Sequence, residues 1–246
     1  MTVELPPATA FVLAGGLGTR LRDAVPDVPK VLAPVGGRPF LHFLLDRIAS
    51  AGIRRVVLCT GYRAGEVRRA VGSARAGMEV AYSVEEEPAG TGGAVRLAFS
   101  RFAADPLLVM NGDSCCRADL PAFFRWHAAL RPTASLVLAR SADTRRFGRV
   151  ELDRSGSVVR FTEKGDQGGE GWINAGIYLL PAHMVRSIAP SGAVSLERDV
   201  IAPLAGRGLA AWPCPGSFLD IGTRESYQEA EAFFAADGAP LPGGGA

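Results

Sequence analysis

The sequence predicts an α/β protein built on a mostly parallel sheet that helices cover on both faces. Short apolar segments closed by glycines alternate with segments whose apolar residues recur at helical spacing. That alternation is typical of βαβ units, in which neighbouring strands run parallel. In the second half the pattern changes to alternating strands around a glycine-containing turn, which indicates an antiparallel hairpin. We therefore expect a parallel sheet that is extended by a smaller mixed region.

Composition sets the class of protein before any motif is considered. The 246 residues are 48% hydrophobic and 21% charged, which is typical of a soluble globular protein. A net charge of +2 argues against a surface that coats nucleic acid. The four cysteines form no CxxC pair, so free buried thiols are expected. No signal peptide or membrane-spanning run is visible, and the cytoplasm is the predicted location.

The first half of the chain contains alternating predicted strands and helices. The predicted strands are Ala10–Ala14, Arg54–Tyr62, Met78–Glu85, Pro106–Ser114 and Ala134–Ser141. The predicted helices are Phe40–Gly52, Ala64–Gly72, Gly92–Ala103 and Leu120–Leu130. In the first of them the apolar residues fall at i, i+3, i+4 and i+7, which marks one buried helix face.

The second half predicts a hairpin over Arg149–Lys164 and a strand over Trp172–Leu180. A helix over Ser195–Gly206, an extended segment and a last helix from Thr223, its N-cap, follow. We expect this half to extend the sheet, to add a small mixed subdomain and to leave a cleft between the two parts. In open α/β sheets, ligands bind beyond the carboxyl ends of the strands.

The stretch "LAGGLGTRLR" predicts an anion-binding loop. Gly15, Gly16 and Gly18 follow a buried strand and leave backbone N–H groups open to phosphate oxygens. Two arginines follow directly, and Lys30 ends the same long loop. The pattern is neither a Walker A loop nor GxGxxG. A tight βα turn with solvated arginines is the alternative, although a turn alone does not require three cations.

Two aspartates could hold a metal ion. Asp113 lies in "NGDS" at the end of a buried strand, and Asp220 lies in "FLDIGT" just before a helix. Mg²⁺ is commonly bound by one or two carboxylates together with substrate phosphates. The alternatives are an ordinary Asp in a turn and an Asp that leads a helix.

Four further features could contact a ligand. The glycine loop at Glu85–Ala94 is too acidic for phosphate and better suits a neutral group such as a nucleobase edge. Lys164 could bind a phosphate and Glu163 a sugar hydroxyl, with a surface ion pair as the alternative. Asn174 is an amide within an apolar strand and needs partners. Gly148 begins a strand and could lie against a ligand. The three histidines lack a nucleophile pattern, and we assign them no role.

Taken in order, these motifs resemble the sugar-1-phosphate nucleotidyltransferases. The matching stretches are "LAGGLGTRLR", "PK" at Pro29-Lys30, "NGDS", "EKG", "NAGIY" and "LDIGT", and they span nearly the whole chain. The resemblance implies a three-layer Rossmann-like fold of the nucleotide-diphospho-sugar transferase type, with a small mixed β subdomain over the sugar site. The heptose branch, D-glycero-D-manno-heptose 1-phosphate guanylyltransferase, is the most similar. Short mannose-1-phosphate guanylyltransferases and the uridylyltransferase for N-acetylmuramate 1-phosphate are near relatives.

The resemblance also implies a reaction and roles for residues. A nucleoside triphosphate and a sugar 1-phosphate, the expected partners, would give a nucleotide sugar and pyrophosphate, with Mg²⁺ as the cofactor. The implied catalytic residues are Arg20, Lys30 and Asp113, and the implied metal ligands are Asp113 and Asp220. The implied nucleotide-binding residues are Leu13, Ala14, Gly15, Gly16, Gly18, Thr19, Glu87, Gly90, Thr91 and Gly112. The implied sugar-phosphate residues are Gly148, Glu163, Lys164 and Asn174.

On this basis residues 1–237 are predicted to form one domain. Residues of about 8–114 would bind the nucleotide, residues of about 115–237 the sugar, and residues 238–246 would be a disordered tail.

Two departures from the family pattern matter. The "DAVPDV" loop lacks a Thr that many relatives have, and no C-terminal hexapeptide-repeat region is visible, so we expect nucleotidyl transfer only.

Several alternatives stay open at this point. The favoured pair is GTP with D-glycero-D-manno-heptose 1-phosphate. Mannose 1-phosphate, or another sugar 1-phosphate with UTP, TTP, CTP or ATP, is a second hypothesis. A silent sugar-nucleotide-binding regulatory subunit is a third, although such a protein has no chemical need for Arg20, Lys30 and both aspartates. Relatives are often dimers, so a homodimer is an option that the sequence does not decide.

Overall fold

A central sheet organises the protein, which is represented by a computed structural model that describes residues 9–21, 25–165 and 168–236. The tail predicted at 238–246 and the second arginine of the opening motif, Arg22, lie outside the described residues. Within the described residues this sheet has ten strands, and two small two-stranded sheets accompany it.

The elements alternate along the chain much as predicted. The described strands are β1 Thr9–Leu13, β2 Pro34–Val35, β3 Arg38–Pro39, β4 Arg55–Thr60, β5 Ala74–Arg75, β6 Met78–Val84, β7 Leu107–Asn111, β8 Ser114–Cys116, β9 Ala134–Ser141, β10 Arg149–Leu152, β11 Val158–Thr162, β12 Gly171–Leu180, β13 Leu209–Pro213 and β14 Phe218–Asp220. The described α-helices are α1 Phe40–Ser50, α2 Ala64–Val71, α3 Gly90–Arg101, α4 Leu120–Leu130, α5 Ala182–Ser187, α6 Arg224–Gln228 and α7 Ala230–Ala235.

The centre of the main sheet is parallel. Its order is β11-β10-β12-β7-β1-β4-β6-β5, and β1 pairs in parallel with both β4 and β7. The register places Leu13 beside Cys59 on one side and beside Asn111 on the other, so these strand ends lie together. Strand β12 joins β7 antiparallel and also pairs with β9, to which β13 adds in parallel. The second half therefore extends the sheet of the first half, as expected.

Apolar residues on the two faces of the sheet form two separate cores. In β1, Ala10 and Val12 pack with the buried sides of α1, α2 and α4, whereas Phe11 packs with α3 and α5 on the opposite face. The alternation of side chains along a strand produces this separation. The result is the predicted three-layer arrangement. None of the helices in the described ranges has both the length and the apolar character needed to cross a bilayer.

Two predicted helices are interrupted in the structure. The segment Ser195–Gly206 contains a wide helical turn at Leu196–Ile201 followed by a 3₁₀ turn at Ala202–Leu204. Pro203 accounts for the change because it has no N–H to donate within a continuing helix. The last predicted helix divides into α6 and α7, and Thr223 caps α6 through a reciprocal box with Ser226, as its position predicted.

The small sheet of β8 and β14 joins two distant parts of the chain. The two strands pair antiparallel, with Ser114 opposite Asp220 and Cys116 opposite Phe218. The sequence predicted an extended segment around Phe218 but not its partner strand. This pairing brings the two motifs that carry aspartates to the same place. All four cysteines are buried and unbridged, which confirms the predicted free thiols.

Gly112 provides a test of the packing between β1 and β7. Its N–H donates to the Leu13 carbonyl at 2.9 Å, and a Cβ at this position would lie 2.5 Å from that oxygen. We expect Gly112→Ala to lower the free energy of unfolding by about 1–3 kcal/mol. The added methyl group would push the chain after β7 away from β1, and strands in a packed core move only at an energetic cost. Urea denaturation measures the change.

Gly16→Ala is the matched control, because a Cβ there meets nothing within 4 Å. Its free energy of unfolding should stay within about 0.5 kcal/mol of the unsubstituted protein. Equal stability of the two variants would show that the close approach at Gly112 is not a constraint on the fold.

Candidate active site

A cavity of about 630 Å³ opens at the carboxyl ends of the parallel strands. The chain following β1, β4, β6 and β7 contributes to its wall, as the sheet topology requires. The hairpin side of the sheet provides the opposite wall through Gly148, Lys164 and Asn174. The cavity therefore lies where the sequence placed the cleft.

A cluster of two carboxylates and two cations lies in this cavity. Lys30 Nζ is 2.6 Å from Asp113 Oδ2 and 3.8 Å from Asp220 Oδ2. Arg146 Nη2 contacts the other oxygen of Asp220 at 2.9 Å. The Lys30 side chain is only 12% exposed, so its ammonium is held between the carboxylates with little solvent screening. Lys30 and Arg146 are therefore held in place as cations that can balance negative charge on a ligand.

Local backbone geometry fixes the members of this cluster. Gly18 has φ +61°, and a Cβ there would lie 2.8 Å from Lys30 Cβ, so only glycine lets the loop lie over this lysine. The main chain of Ile221 donates to the Asp113 carbonyl at 3.0 Å. The N–H of Gly222 donates to Asp220 Oδ1, also at 3.0 Å. The carboxylates are thus oriented by β8, β14 and the turn that follows.

A second acidic group marks the end of the cavity beside β4 and β6. Glu85 begins the loop after β6, and its N–H donates to the Thr60 carbonyl at 2.8 Å. Burial raises the pKa of its carboxyl group, while a backbone hydrogen bond from Ala89 opposes that rise. Its Oε1 atom is buried and has no hydrogen-bond partner among the described residues. Burial, and then the charge of Glu85, raises the pKa of the neighbouring Cys59 thiol, which stays neutral.

The opposite end of the cavity carries neutral and acidic hydrogen-bonding groups. Asn174 Nδ2 donates to the hydroxyl of Tyr178 at 2.6 Å, and that hydroxyl donates to Glu197 Oε1 at 3.3 Å. Glu163 contributes a buried Oε2 atom that has no partner among the described residues. Gly148 accepts a hydrogen bond from the N–H of Asn174 at 2.8 Å. An unpartnered buried acceptor of this kind suits a ligand hydroxyl.

The structure brings most of the predicted site residues together. Those that line the cavity are Leu13, Gly15, Gly16, Arg20, Lys30, Glu87, Gly90, Thr91, Asp113, Gly148, Glu163, Lys164, Asn174 and Asp220. Those that do not line it are Ala14, Gly18, Thr19 and Gly112. Of these four, Gly18 and Gly112 act through backbone packing, on Lys30 and on Leu13 respectively. Ala14 continues the β1 pairing through its N–H to the Cys59 carbonyl.

Glu85, Arg146 and Glu197 are charged side chains of this cavity that sequence reasoning did not single out. Glu85 begins the glycine loop that was predicted to face a nucleobase but was not itself named as a site residue, and Arg146 directly precedes "FGRV". Glu197 lay within a predicted helix far from any motif. A buried acid that follows a strand was a usable signal for Glu85. No comparable signal marked Glu197, because its place depends on an irregular helical turn.

Comparisons with known proteins agree with this geometry. The family model described as "Nucleotidyl transferase" matches residues 9–237. D-glycero-alpha-D-manno-heptose 1-phosphate guanylyltransferase of Aneurinibacillus thermoaerophilus is 33% identical over 90% of this chain and 96% of its own length. Mannose-1-phosphate guanylyltransferase of Mycobacterium tuberculosis is 36% identical over 95% of this chain, which spans 66% of that relative.

A solved structure gives the same result at the level of the fold. HddC from Yersinia pseudotuberculosis in complex with GMP-PN superposes with a TM-score of 0.80 and 32% identity, over 92% of this chain and 99% of that one. The match confirms the predicted α/β fold of the nucleotide-diphospho-sugar transferase type. With a cavity of this construction and a family match over almost its whole length, the chain belongs to the nucleotidyl transferase family and is a nucleotidyltransferase.

Proposed function

We propose that this protein transfers a guanylyl group from GTP to D-glycero-α-D-manno-heptose 1-phosphate. The observation that carries the proposal is the cluster of Lys30, Asp113 and Asp220 in the cavity. On one side of the cluster lies the acidic loop at Glu85–Ala94, which we call the base-side loop. On the other side lies the sugar end, with Glu163 and Asn174. That order matches the order of groups in the two substrates: base, phosphates, sugar.

In the proposed reaction an oxygen of the sugar phosphate attacks the α-phosphorus of GTP in line. A new P–O bond forms, the bond between the α-phosphorus and the bridging oxygen breaks, and pyrophosphate leaves with the electron pair. Lys30 would stabilise the charge that builds on the α-phosphate, and the exposed Arg20 would pair with the triphosphate. The glycine loop would bring backbone N–H groups to the same phosphates. The protein thus acts mainly by position and charge.

Asp113 and Asp220 are the residues that would hold Mg²⁺. Both Oδ2 atoms already face one cation, Lys30 Nζ, which shows that the two carboxylates can share a positive charge. No group of three or more candidate metal ligands occurs in the described part of the chain. A pair of carboxylates suits Mg²⁺, which takes its remaining ligands from water and substrate phosphates. When bound, the ion would neutralise phosphate charge.

Glu85 would select guanine. The Watson–Crick edge of guanine presents two neighbouring donors, N1–H and N2–H, and a carboxylate can accept both. Glu85 Oε1 is buried in the described structure without a partner, so guanine would satisfy an acceptor that is otherwise costly. Uracil, thymine and adenine do not present that pair of donors.

The sugar end supports a heptose or a mannose ring. Glu163 and Asn174 would contact sugar hydroxyls, and Lys164 would contact the sugar phosphate. Heptose 1-phosphate is the first candidate because two D-glycero-alpha-D-manno-heptose 1-phosphate guanylyltransferases are each 33% identical over 89–90% of this chain. Mannose 1-phosphate remains the second candidate substrate. A homodimer and a cytoplasmic location stay predictions from the sequence.

A pyrophosphate-release assay tests the substrates. The panel should combine GTP, ATP, UTP, CTP and TTP with the 1-phosphates of D-glycero-α-D-manno-heptose, mannose, glucose and N-acetylmuramate. We expect the highest kcat/KM with GTP and the heptose. A higher value with mannose 1-phosphate would overturn the sugar assignment. No release with any pair, together with tight nucleotide binding, would support a silent regulatory subunit instead.

Asp113→Asn tests the proposed metal site. We expect kcat to fall at least about 100-fold, because the change removes a charged ligand worth several kcal/mol in the transition state. Binding of Mn²⁺ in the presence of GTP, followed by electron paramagnetic resonance, should weaken in parallel. Asp119→Asn is the control, since Asp119 is an exposed N-cap of α4 and Asn caps equally well. Unchanged Mn²⁺ binding and turnover in Asp113→Asn would remove Asp113 from the metal site.

Glu85→Gln tests base selection. Gln presents an N–H where guanine also presents one, so kcat/KM for GTP should fall about 10- to 100-fold, while that for UTP should not. The pH dependence gives a second measurement. The pKa of the Glu85 carboxyl is raised by burial, so GTP binding should weaken as the pH falls through that raised value, and Glu85→Gln should not show this loss.

The same substitution at the exposed neighbour, Glu86→Gln, is the control and should leave the preference for GTP intact. A Glu85→Gln variant that keeps both its preference for GTP and its acid sensitivity would exclude Glu85 as the guanine-binding group.

A further inference from the structure

The base-side loop and the segment at 192–197 are joined by a dense set of hydrogen bonds. The N–H of Gly92 donates to the Val194 carbonyl at 2.8 Å, and the N–H of Val194 donates to the Ala89 carbonyl at 2.9 Å. Gly90 has φ +76°, and a Cβ at this position would lie 2.4 Å from the Val194 oxygen. The start of α3 therefore cannot shift without moving the neighbouring segment.

Thr91 extends this connection to Glu197. The Thr91 hydroxyl accepts from the N–H of Leu196 at 2.8 Å and donates its proton to Glu197 Oε2 at 2.8 Å. Ser195 donates to the same oxygen at 3.2 Å. Glu197 lines the cavity, yet its Oε2 atom is engaged by these hydroxyls. Its position therefore depends on the loop that begins α3.

The other carboxylate oxygen of Glu197 connects to the sugar end. Tyr178 is fully buried and donates to Glu197 Oε1 at 3.3 Å. Burial raises the pKa of this phenol, which therefore remains a donor. Because its one proton is directed to Glu197, the phenol oxygen must accept from Asn174, whose Nδ2 lies 2.6 Å away. The carbonyl oxygen of the same amide accepts from the N–H of Gly176 at 3.0 Å. The Asn174 amide is thus held by Gly176 at its carbonyl oxygen and by the Tyr178–Glu197 pair at its nitrogen.

We infer that Glu197 is a positioning residue that couples the two substrate sites. Thr91, Glu197, Tyr178 and Asn174 form a continuous relay from the base-side loop to the sugar end, so nucleotide contacts that hold this loop in place would also hold Asn174 for the sugar. Binding of GTP and binding of sugar 1-phosphate then strengthen each other by the same factor. This inference rests on the proposed function, because it takes the two ends of the cavity as base and sugar subsites.

Isothermal titration calorimetry measures the coupling directly. The probes are α,β-methylene-GTP, which cannot transfer its guanylyl group, and D-glycero-α-D-manno-heptose 1-phosphate or mannose 1-phosphate, each titrated alone and with the other in the presence of Mg²⁺. For the unsubstituted protein we expect the sugar phosphate to bind at least about 10-fold more tightly when the nucleotide analogue is present. Equal affinity with and without the analogue would overturn the inference.

Thr91→Val and Thr91→Ser form a matched pair for the relay. Valine keeps the shape but removes the hydroxyl that donates to Glu197 and accepts from Leu196, so the coupling factor should fall to within about 2-fold of unity, whereas serine should restore most of it. Tyr178→Phe should lower the coupling in the same way. The double variant Thr91→Val with Tyr178→Phe should have the same coupling factor as either single variant, because both substitutions interrupt the same relay. Circular dichroism verifies that each variant folds.

The outcomes separate this inference from the proposed function. If the unsubstituted protein shows coupling and Thr91→Val retains it, the relay is only a structural contact and the inference fails, while the proposed function stands. If neither sugar phosphate binds in the presence of the nucleotide analogue, the proposed function itself fails. A rise in the KM of the sugar phosphate in Tyr178→Phe, with the KM of GTP little changed, supports the relay in steady-state kinetics.

Discussion

The pairing of β8 with β14 is the constraint on which the chemistry of this cavity depends. It places Ser114 opposite Asp220 and so brings the aspartate after β7 to the aspartate before α6. Two carboxylates at close range repel each other unless a cation lies between them, and Lys30 supplies that cation. The glycine at position 18 is required in turn, since any side chain there would displace Lys30. This one strand pairing therefore constrains which residues can occupy three separate segments of the chain, namely the loop with Gly18 and Lys30, the turn at Asp113 and the strand end at Asp220.

The fold could be predicted from sequence to a greater extent than the site. The parallel centre, both cores and the hairpin followed from apolar periodicity, because burial on the two faces of a sheet constrains residues along the whole strand. The divided helix at Leu196–Ile201 did not follow, because its hydrogen-bonding pattern is set by tertiary contacts with the loop at Gly90 and by Pro203. The helix propensity of a short segment does not include such tertiary contacts and so cannot predict their effect.

The site residues that the sequence indicated share one property, which is a position at the end of a strand or in a glycine-rich loop. Lys30, Asp113 and Asp220 were of this kind. Glu197 was not, and it reaches the cavity only because an irregular turn directs it there. Arg146 was overlooked because its ion pair is with a residue distant in sequence, Asp220, which no local pattern reveals. Residues that complete a network across the fold are therefore the hardest to find from sequence alone.

The distribution of charge in the cavity supports the proposed order of the two substrates. The middle of the cavity holds Lys30 and Arg146 beside two carboxylates, a set that suits phosphate together with a metal ion. Both ends carry buried acceptor atoms without protein partners, on Glu85 and on Glu163. A phosphate placed directly against Glu85 or Glu163 would face a carboxylate and be repelled, whereas a guanine edge or a sugar hydroxyl would supply the missing donor. The proposed order of base, phosphates and sugar along the cavity therefore rests on the unpaired acceptors at its two ends and the cations between them.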